Sequence, residues 1–258
     1  MLRTYSLLSF ERVLGAEHPE VATALNNLAS VYKYEGKYAE AEPLYQRSFS
    51  IRERTLGESH PLVAESLNNL ALLYHYLGKY AQAEPLYQRS LAIGEHTLGP
   101  EHSETLITLD NLASLYTIEG KYAQAAPLLQ RALATGERVL GSDHPDTGVP
   151  LRDLGWLYTL QGKYAQAESL LQRALALLER LVGPVHRWTL ETLRYLANLA
   201  QATGQDGRAE SFYQQVLASY EQALGPEHPF VAKTLTSLGQ LYTRRGTTRR
   251  LSRSSSGL

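Results

Sequence analysis

The sequence repeats itself every 42 residues, and this restricts what it can fold into more than any other feature. The stretch from Leu25 to Tyr45, LNNLASVYKYEGKYAEAEPLY, returns as LNNLALLYHYLGKYAQAEPLY between Leu67 and Tyr87. The register is unbroken: Gly15, Gly57, Gly99, Gly141, Gly183 and Gly225 are each 42 apart, as are His18, His60, His102, His144, His186 and His228. Self-similarity at a period of about 20 to 50 residues marks stacked supersecondary units, none of which buries its apolar face alone.

Each period holds two helical segments. After Pro19, the residues Leu25, Leu28, Val31 and Tyr32 fall at i, i+3, i+6 and i+7, one face of a helix, and Pro19 suits a first turn where no N–H is needed. We call this the A-type helix, which Gly36 closes. Ala41, Leu44, Tyr45, Ser48, Phe49 and Arg52 continue helical spacing up to Leu56, with Gly57 as the stop, and form a B-type helix. Pro43 and Pro85 lie early in B-type helices and are expected to set where those helices begin. Gly148 and Pro150 replace Ala22 and Ala24 in the fourth repeat, which predicts a loosened or delayed helix start and a displaced Arg152.

Small residues recur where paired helices must approach closely: Ala29, Ala41 and Ser48, then Ala71, Ala83 and Ser90, then Ala113, Ala125 and Ala132. With a Tyr at the end of the A-type helix, a Gly at the turn and a small residue deep in the B-type helix, this pattern resembles the tetratricopeptide repeat from Met1 to about Tyr242. The period of 42 and the spacing LGxxHPxVA followed by LNNLAxLYxxxGKYxxAExLYxR resemble the kinesin light chain subtype, with the EPLYQR wording of bacterial arrays. The resemblance implies an all-α fold, a right-handed superhelical α-solenoid of antiparallel helix hairpins. It implies a single array over residues 1–243: a partial B-type helix at 1–14, five repeats at 15–56, 57–98, 99–140, 141–182 and 183–224, and a last A-type helix at 225–243. Residues 244–258, basic and rich in Ser, are expected to be disordered. The half repeats lack an obvious polar cap, which allows end-to-end self-association or a longer parent array.

Composition narrows the function classes. There is no cysteine, so disulfides, thiolate metal sites and a cysteine nucleophile are excluded. Five of the 25 basic residues crowd into the last 15 positions, leaving the rest of the chain at 20 basic against 26 acidic, a balance of −6 that argues against a nucleic-acid footprint on the repeats. No apolar run reaches the roughly 18 to 20 residues of a membrane span and no secretion signal opens the chain, so no membrane role and a cytoplasmic location are expected. The six periodic histidines cannot share a metal ion, because neighbouring repeats are separated by about 8 to 10 Å and zinc ligands sit about 2 Å from the ion. Gly-Lys pairs such as Gly36-Lys37 lack the GxxxxGK[ST] pattern, and GxSxG and HExxH are absent, so neither a catalytic centre nor a cofactor is expected.

In the tetratricopeptide family the concave wall is lined by A-type helices, and the resemblance maps its ligand-facing positions onto Asn26, Asn27, Lys33 and Tyr34 in the first repeat and Asn68, Asn69, His75 and Tyr76 in the second. Down the chain the paired amides become Asp110 and Asn111, then Arg152 and Asp153, then Arg194 and Tyr195, while the Ser30 position becomes Trp156 and Asn198. An Asn offers donor and acceptor to an extended peptide of any sequence; equally, Asn residues of adjacent helices can bond to one another and stitch the stack. Arg152 and Arg194 suit a carboxylate, and Trp156 and Tyr195 are of the types that dominate interfaces. The expected function is non-catalytic: a scaffold binding a peptide or protein segment in the groove. Rival readings are the sensor fragment of a nucleotide-binding switch protein of the NB-ARC kind and, from another class, an enzyme.

Overall fold

The computed structural model describes the backbone of residues 11–255 and the side chains of residues 11–244. Residues 1–10, which carry most of the expected partial B-type helix, lie outside the described residues. No strand occurs among the described residues. The chain divides into two compact units, Met1–Val139 and Leu140–Leu258.

The first unit contains α1 (Pro19–Tyr34), α2 (Tyr38–Leu56), α3 (Pro61–Tyr76), α4 (Tyr80–Thr97), α5 (Ser103–Ile118) and α6 (Tyr122–Val139). The second contains α7 (Pro145–Leu160), α8 (Tyr164–Leu181), α9 (Arg187–Ala202), α10 (Asp206–Leu224) and α11 (Pro229–Ser255). Odd-numbered helices are A-type and even-numbered ones B-type, and each A-type helix that has a B-type helix after it packs on that helix.

The reversal inside each hairpin is built by glycine. At the end of α1, Gly36 takes φ of +75°, which lets Lys37 N–H donate back to the Tyr32 carbonyl at 2.8 Å and closes the helix with a Schellman turn. At the other junction the periodic histidines are helix caps: His18 Nδ1 accepts from Glu20 N–H at 3.2 Å, and His60, His102, His144, His186 and His228 do the same two residues on. An N-terminal acceptor satisfies one of the four N–H groups that a helix leaves unpaired. The spacing in the sequence places these histidines before each helix without revealing this work.

Pro43 and Pro85 do not mark helix starts. They lie inside α2 and α4, which begin five residues earlier at Tyr38 and Tyr80. The lost i→i−4 hydrogen bond falls on the exposed Ala39 and Ala81, whose carbonyls water can reach. The fourth repeat is likewise not delayed: α7 begins at Pro145, as α1 begins at Pro19, so Arg152 keeps its place in the column. Gly148 is there for space, since a Cβ would come 2.8 Å from Leu178 Cδ2.

Burial follows the repeat. Val21, Ala22, Leu25, Leu28 and Ile51 form the core of the first hairpin, and Ala29, Ala41 and Tyr45 pack with Leu70 and Leu73 of the next. In the second unit Ala167 and Leu171 meet Leu196 and Leu199, and Tyr213 meets Leu238 and Leu241. The small Ser48 sits at the helix contact and donates to the Ala22 carbonyl at 2.7 Å, as Ser90 does to Ala64. Outside the core the repeats are tied by Lys79 on Glu42 at 3.0 Å and Lys121 on Glu84 at 2.8 Å.

The helix α11 differs from the sequence expectation. Its backbone runs on through Gly246 to Ser255, where a disordered tail is expected after residue 243. Residues 244–255 include no proline, and five of them are Arg, a good helix former. One face of α11 is open: Leu193 is 2 % exposed, whereas Leu235, 42 residues later, is 49 % exposed.

Candidate functional site

In the Met1–Val139 unit the paired amides bond to one another across adjacent A-type helices. Asn69 Nδ2 donates to Asn26 Oδ1 at 3.2 Å, and Asn111 Nδ2 donates to Asn68 Oδ1 at 3.0 Å. Asn26, almost fully buried, also donates to Glu65 Oε1 at 2.8 Å. Glu65 takes Arg52 on its other oxygen at 3.2 Å. Arg52 is itself buried, with further bonds to the Leu62 carbonyl, Ser66 Oγ and Thr23 Oγ1. The stitching alternative for the amides is therefore realised along this row.

Other predicted positions in this unit lie nearer the solvent. Asn27 and Tyr34 are exposed. Lys33 Nζ lies 5.8 Å from the Tyr45 ring centre, and Tyr76 stacks on Tyr38 at 6.1 Å with rings 6° from parallel. His75 meets the ring of Tyr80 edge-on at 5.9 Å. Asp110 is buried.

In the Leu140–Leu258 unit the same columns carry charge and rings. Arg152 forks onto Asp153, with Nε to Oδ1 at 2.6 Å and Nη2 to Oδ2 at 3.0 Å, and sends Nη1 to Glu191 Oε2 at 3.1 Å. Burial opposes the charge on this guanidinium, but Asp153 and then Glu191 hold its pKa well above the ordinary value. Burial would likewise raise the Glu191 carboxyl, but Arg152 first, then Arg187, Arg194 and Lys233, pull it down to about 2. The carboxylate grip that the sequence suggests for Arg152 is thus already filled from within the chain.

Arg194 is different. It makes no hydrogen bond or ion pair among the described residues; its guanidinium lies 4.7 Å over the Tyr195 ring. Tyr195 in turn stacks on Trp156, 4.9 Å away and 10° from parallel. One repeat on, Lys233, exposed on α11, has its pKa pulled down to about 8, chiefly by Arg194 and then by desolvation, against Glu191. Asn198 accepts a hydrogen bond from Tyr213 Oη, the contact that Ser30 makes with Tyr45.

Sequence reasoning did not single out Glu191, Lys233 or the buried Arg52. A signal was present: Glu65 follows Asn26 by 39 residues and Glu191 follows Arg152 by 39, the offset that brings consecutive A-type helices into contact.

A succession of antiparallel helix hairpins of 42 residues, sealed by small residues and presenting one column of variable polar side chains, defines a helical-repeat protein of the kind used as a binding surface. The chain belongs to the tetratricopeptide repeat family, whose model matches residues 6–54, 20–96, 63–135, 104–180, 158–222 and 188–249. Among solved structures, the nearly identical TPR-like repeats of a protein from Podosopora anserina described as a putative kinesin light chain are 29% identical, covering 80% of this chain and 97% of that one at a TM-score of 0.58. BtubC of P. vanneervenii shares the fold at 22% identity, with 88% and 91% coverage and a TM-score of 0.63. A thermophilic TPR protein of Thermus thermophilus does so at 20% identity, with 83% and 99% coverage and a TM-score of 0.58. A comparison with curated proteins found no match.

Proposed function

We propose that the chain is a non-catalytic protein-interaction scaffold that receives a peptide or protein segment along its A-type helices. In the Leu140–Leu258 unit, a carboxylate of that segment is received by Arg194 and Lys233 beside the Trp156–Tyr195 stack. The observation that carries this reading is the contrast between two arginines one repeat apart. Arg152 has two acids, whereas Arg194 has none at bonding distance and its charge instead lowers the pKa of a second cation, Lys233. Two cations close enough to act on each other raise each other's energy, which Glu191, bonded to Arg152, offsets only in part, and an arriving carboxylate relieves that repulsion while taking a charge-assisted bond from each. Half-buried Trp156 supplies an aromatic wall next to it.

The full chain used as bait, followed by synthesis of the captured segment, gives the ligand for a binding titration. Arg194→Ala with Lys233→Ala is expected to weaken that segment at least about tenfold, the loss of one or two charged hydrogen bonds, without changing the helical circular dichroism. Lys233 loses its charge as pH rises through about 8, so affinity should fall between about pH 7 and pH 9. Unchanged affinity in the double variant would overturn the assignment.

A further inference from the structure

The helix α11 is covered on one side only. Val231, Leu238 and Leu241 are buried among residues of α9 and α10, whereas Ala232, Leu235, Gly239 and Tyr242 are exposed. The first three of these exposed residues stand where α1 has Ala22, Leu25 and Ala29 and α3 has Ala64, Leu67 and Ala71, all of them buried in hairpins with a B-type partner. A Cβ added at Gly239 would meet nothing within 4 Å, while at the equivalent Gly155 it would strike Leu171 of the following B-type helix. Among the described residues no B-type helix covers this face of α11.

The α1 end is open in a matching way. Each amide of the row finds its acceptor 43 residues earlier, Asn69 on Asn26 and Asn111 on Asn68. Asn27, at the equivalent place in α1, is exposed and makes no hydrogen bond among the described residues. Val31 and Tyr34 are likewise more exposed than Leu73 and Tyr76, their counterparts in α3. Carried on by six periods of 42, the acceptor position for Asn27 is Thr236 of α11. Thr236 is exposed, and its hydroxyl donates to the Ala232 carbonyl at 2.9 Å, which leaves the oxygen lone pairs to accept. The sequence also holds a B-type element for the open face: residues 1–14 keep the B-type register, with Leu2 and Ser6 at the places of Leu44 and Ser48, by which α2 meets α1. Arg3 takes the place of Tyr45, opposite Gly239, where no side chain narrows the approach; a long stem covers apolar surface with its charge in water.

We propose that the chain associates head to tail with a second copy of itself. The α11 of one copy takes the place of a preceding A-type helix beside α1 of the next, Asn27 donates to Thr236, and residues 1–14 of that next copy lie on the open face of α11 as its B-type helix. The occupant is a second copy because the contact prolongs, in unbroken register, the packing that already joins one repeat to the next within the chain. It joins two different surfaces, so each pair keeps an open face at either end and assembly proceeds beyond two copies as concentration rises. In dilute solution, where the monomer prevails, Leu235 stays open. The test uses no groove ligand, so the proposal stands independently of the Arg194–Lys233 reading.

Sedimentation velocity of the full chain over a range of concentrations reads the assembly, and the mass of the parent should rise with concentration. Leu235→Asp spoils the α11 face; Asn27→Arg spoils the α1 end by setting a long cation against α11, which has no acidic residue. Both positions are exposed, so each variant alone should keep its helical circular dichroism and sediment as a monomer. Mixed in equal amounts, the two should form a dimer and go no further, because one intact junction remains, between α11 of the Asn27→Arg chain and α1 of the Leu235→Asp chain. If Leu235→Asp lowers the helical signal, Ala232→Glu replaces it. A parent that stays monomeric at every concentration, an Asn27→Arg variant that still pairs with its own kind, or a mixture that stays monomeric would each overturn the proposal.

Discussion

Asn69 and Asn26 are joined through their side-chain amides at 3.2 Å, and Tyr195 and Arg152, at the equivalent positions in the other unit, meet as ring and cation at 6.0 Å. One junction between consecutive A-type helices is thus made with two chemistries. A polar contact of this kind ties successive repeats together, which in a repeat protein is a term in stability separate from that of each hairpin.

If the amide row ties repeats together, Asn26 and Asn69 are energetically coupled. Asn26→Ala should destabilise by about 1 to 3 kcal/mol, because it also leaves part-buried Glu65 short of a donor. A double-mutant cycle with Asn69→Ala, read by urea denaturation, should return a coupling of about 0.5 to 1.5 kcal/mol. Strict additivity would show that the amide pair ties nothing.

Arg152→Ala and Arg194→Ala should part company. The first strands Asp153 and Glu191, both largely buried, and is expected to cost about 3 to 5 kcal/mol. The second removes a buried cation that stacks on Tyr195 but has no acid at bonding distance, and should cost about 1 to 2 kcal/mol. Equal losses in urea unfolding would contradict the difference in their surroundings.

Acid should loosen the second unit through Glu191. Its pKa is about 2 in the folded chain against 4.5 ordinarily, so the unfolded chain takes up the proton first as pH falls. The stabilisation is complete above about pH 4.5 and is lost progressively toward about pH 2. His186 acts higher on the same limb: burial, then Arg187, hold its pKa below 6.5, so its contribution is present above that value and is lost as pH falls past it. Glu191→Gln should therefore be less stable than the parent at about pH 7, with the gap narrowing at about pH 3; a constant gap would remove Glu191 from the acid response.

Two glycines in equivalent A-type helices should respond in opposite directions. A Cβ at Gly155 would stand 2.7 Å from Leu171 Cγ and 3.3 Å from the Ala167 carbonyl, so Gly155→Ala is an overpacking change costing about 1 to 3 kcal/mol. Gly239, in α11, has nothing within 4 Å of the same atom, and Gly239→Ala should gain up to about 1 kcal/mol of helix propensity. Melting temperatures of the two variants, moving down and up respectively, check this.

The open face of α11 predicts a similar split for leucine. Leu193→Ala should cost about 2 to 5 kcal/mol as a buried core truncation, and Leu235→Ala less than about 1, although the two residues are one repeat apart. Comparable losses would mean that something covers Leu235 in solution.

The hairpins are legible in the amino-acid order. Leu25, Leu28 and Tyr32 at helical spacing, Gly36 at the reversal and Ala41 at the close contact are local or one-hairpin requirements, and the repeats state them in the same residues, except that Ala200 stands at the Tyr32 position of the fifth. The candidate columns are legible there too, with Asn26 and Asn27 giving way to Arg152, Arg194 and Tyr195. Which of those side chains are already committed depends on tertiary packing. Asn26 and Arg152 are spent on residues 39 and 43 positions away, whereas Arg194 is not paired with an acid. The same long-range effect makes Arg52 a buried core residue, a place that no reading of one helix face displays. A periodic pattern specifies the backbone because each unit repeats the same burial; the state of a polar group depends on which atom the next repeat brings against it.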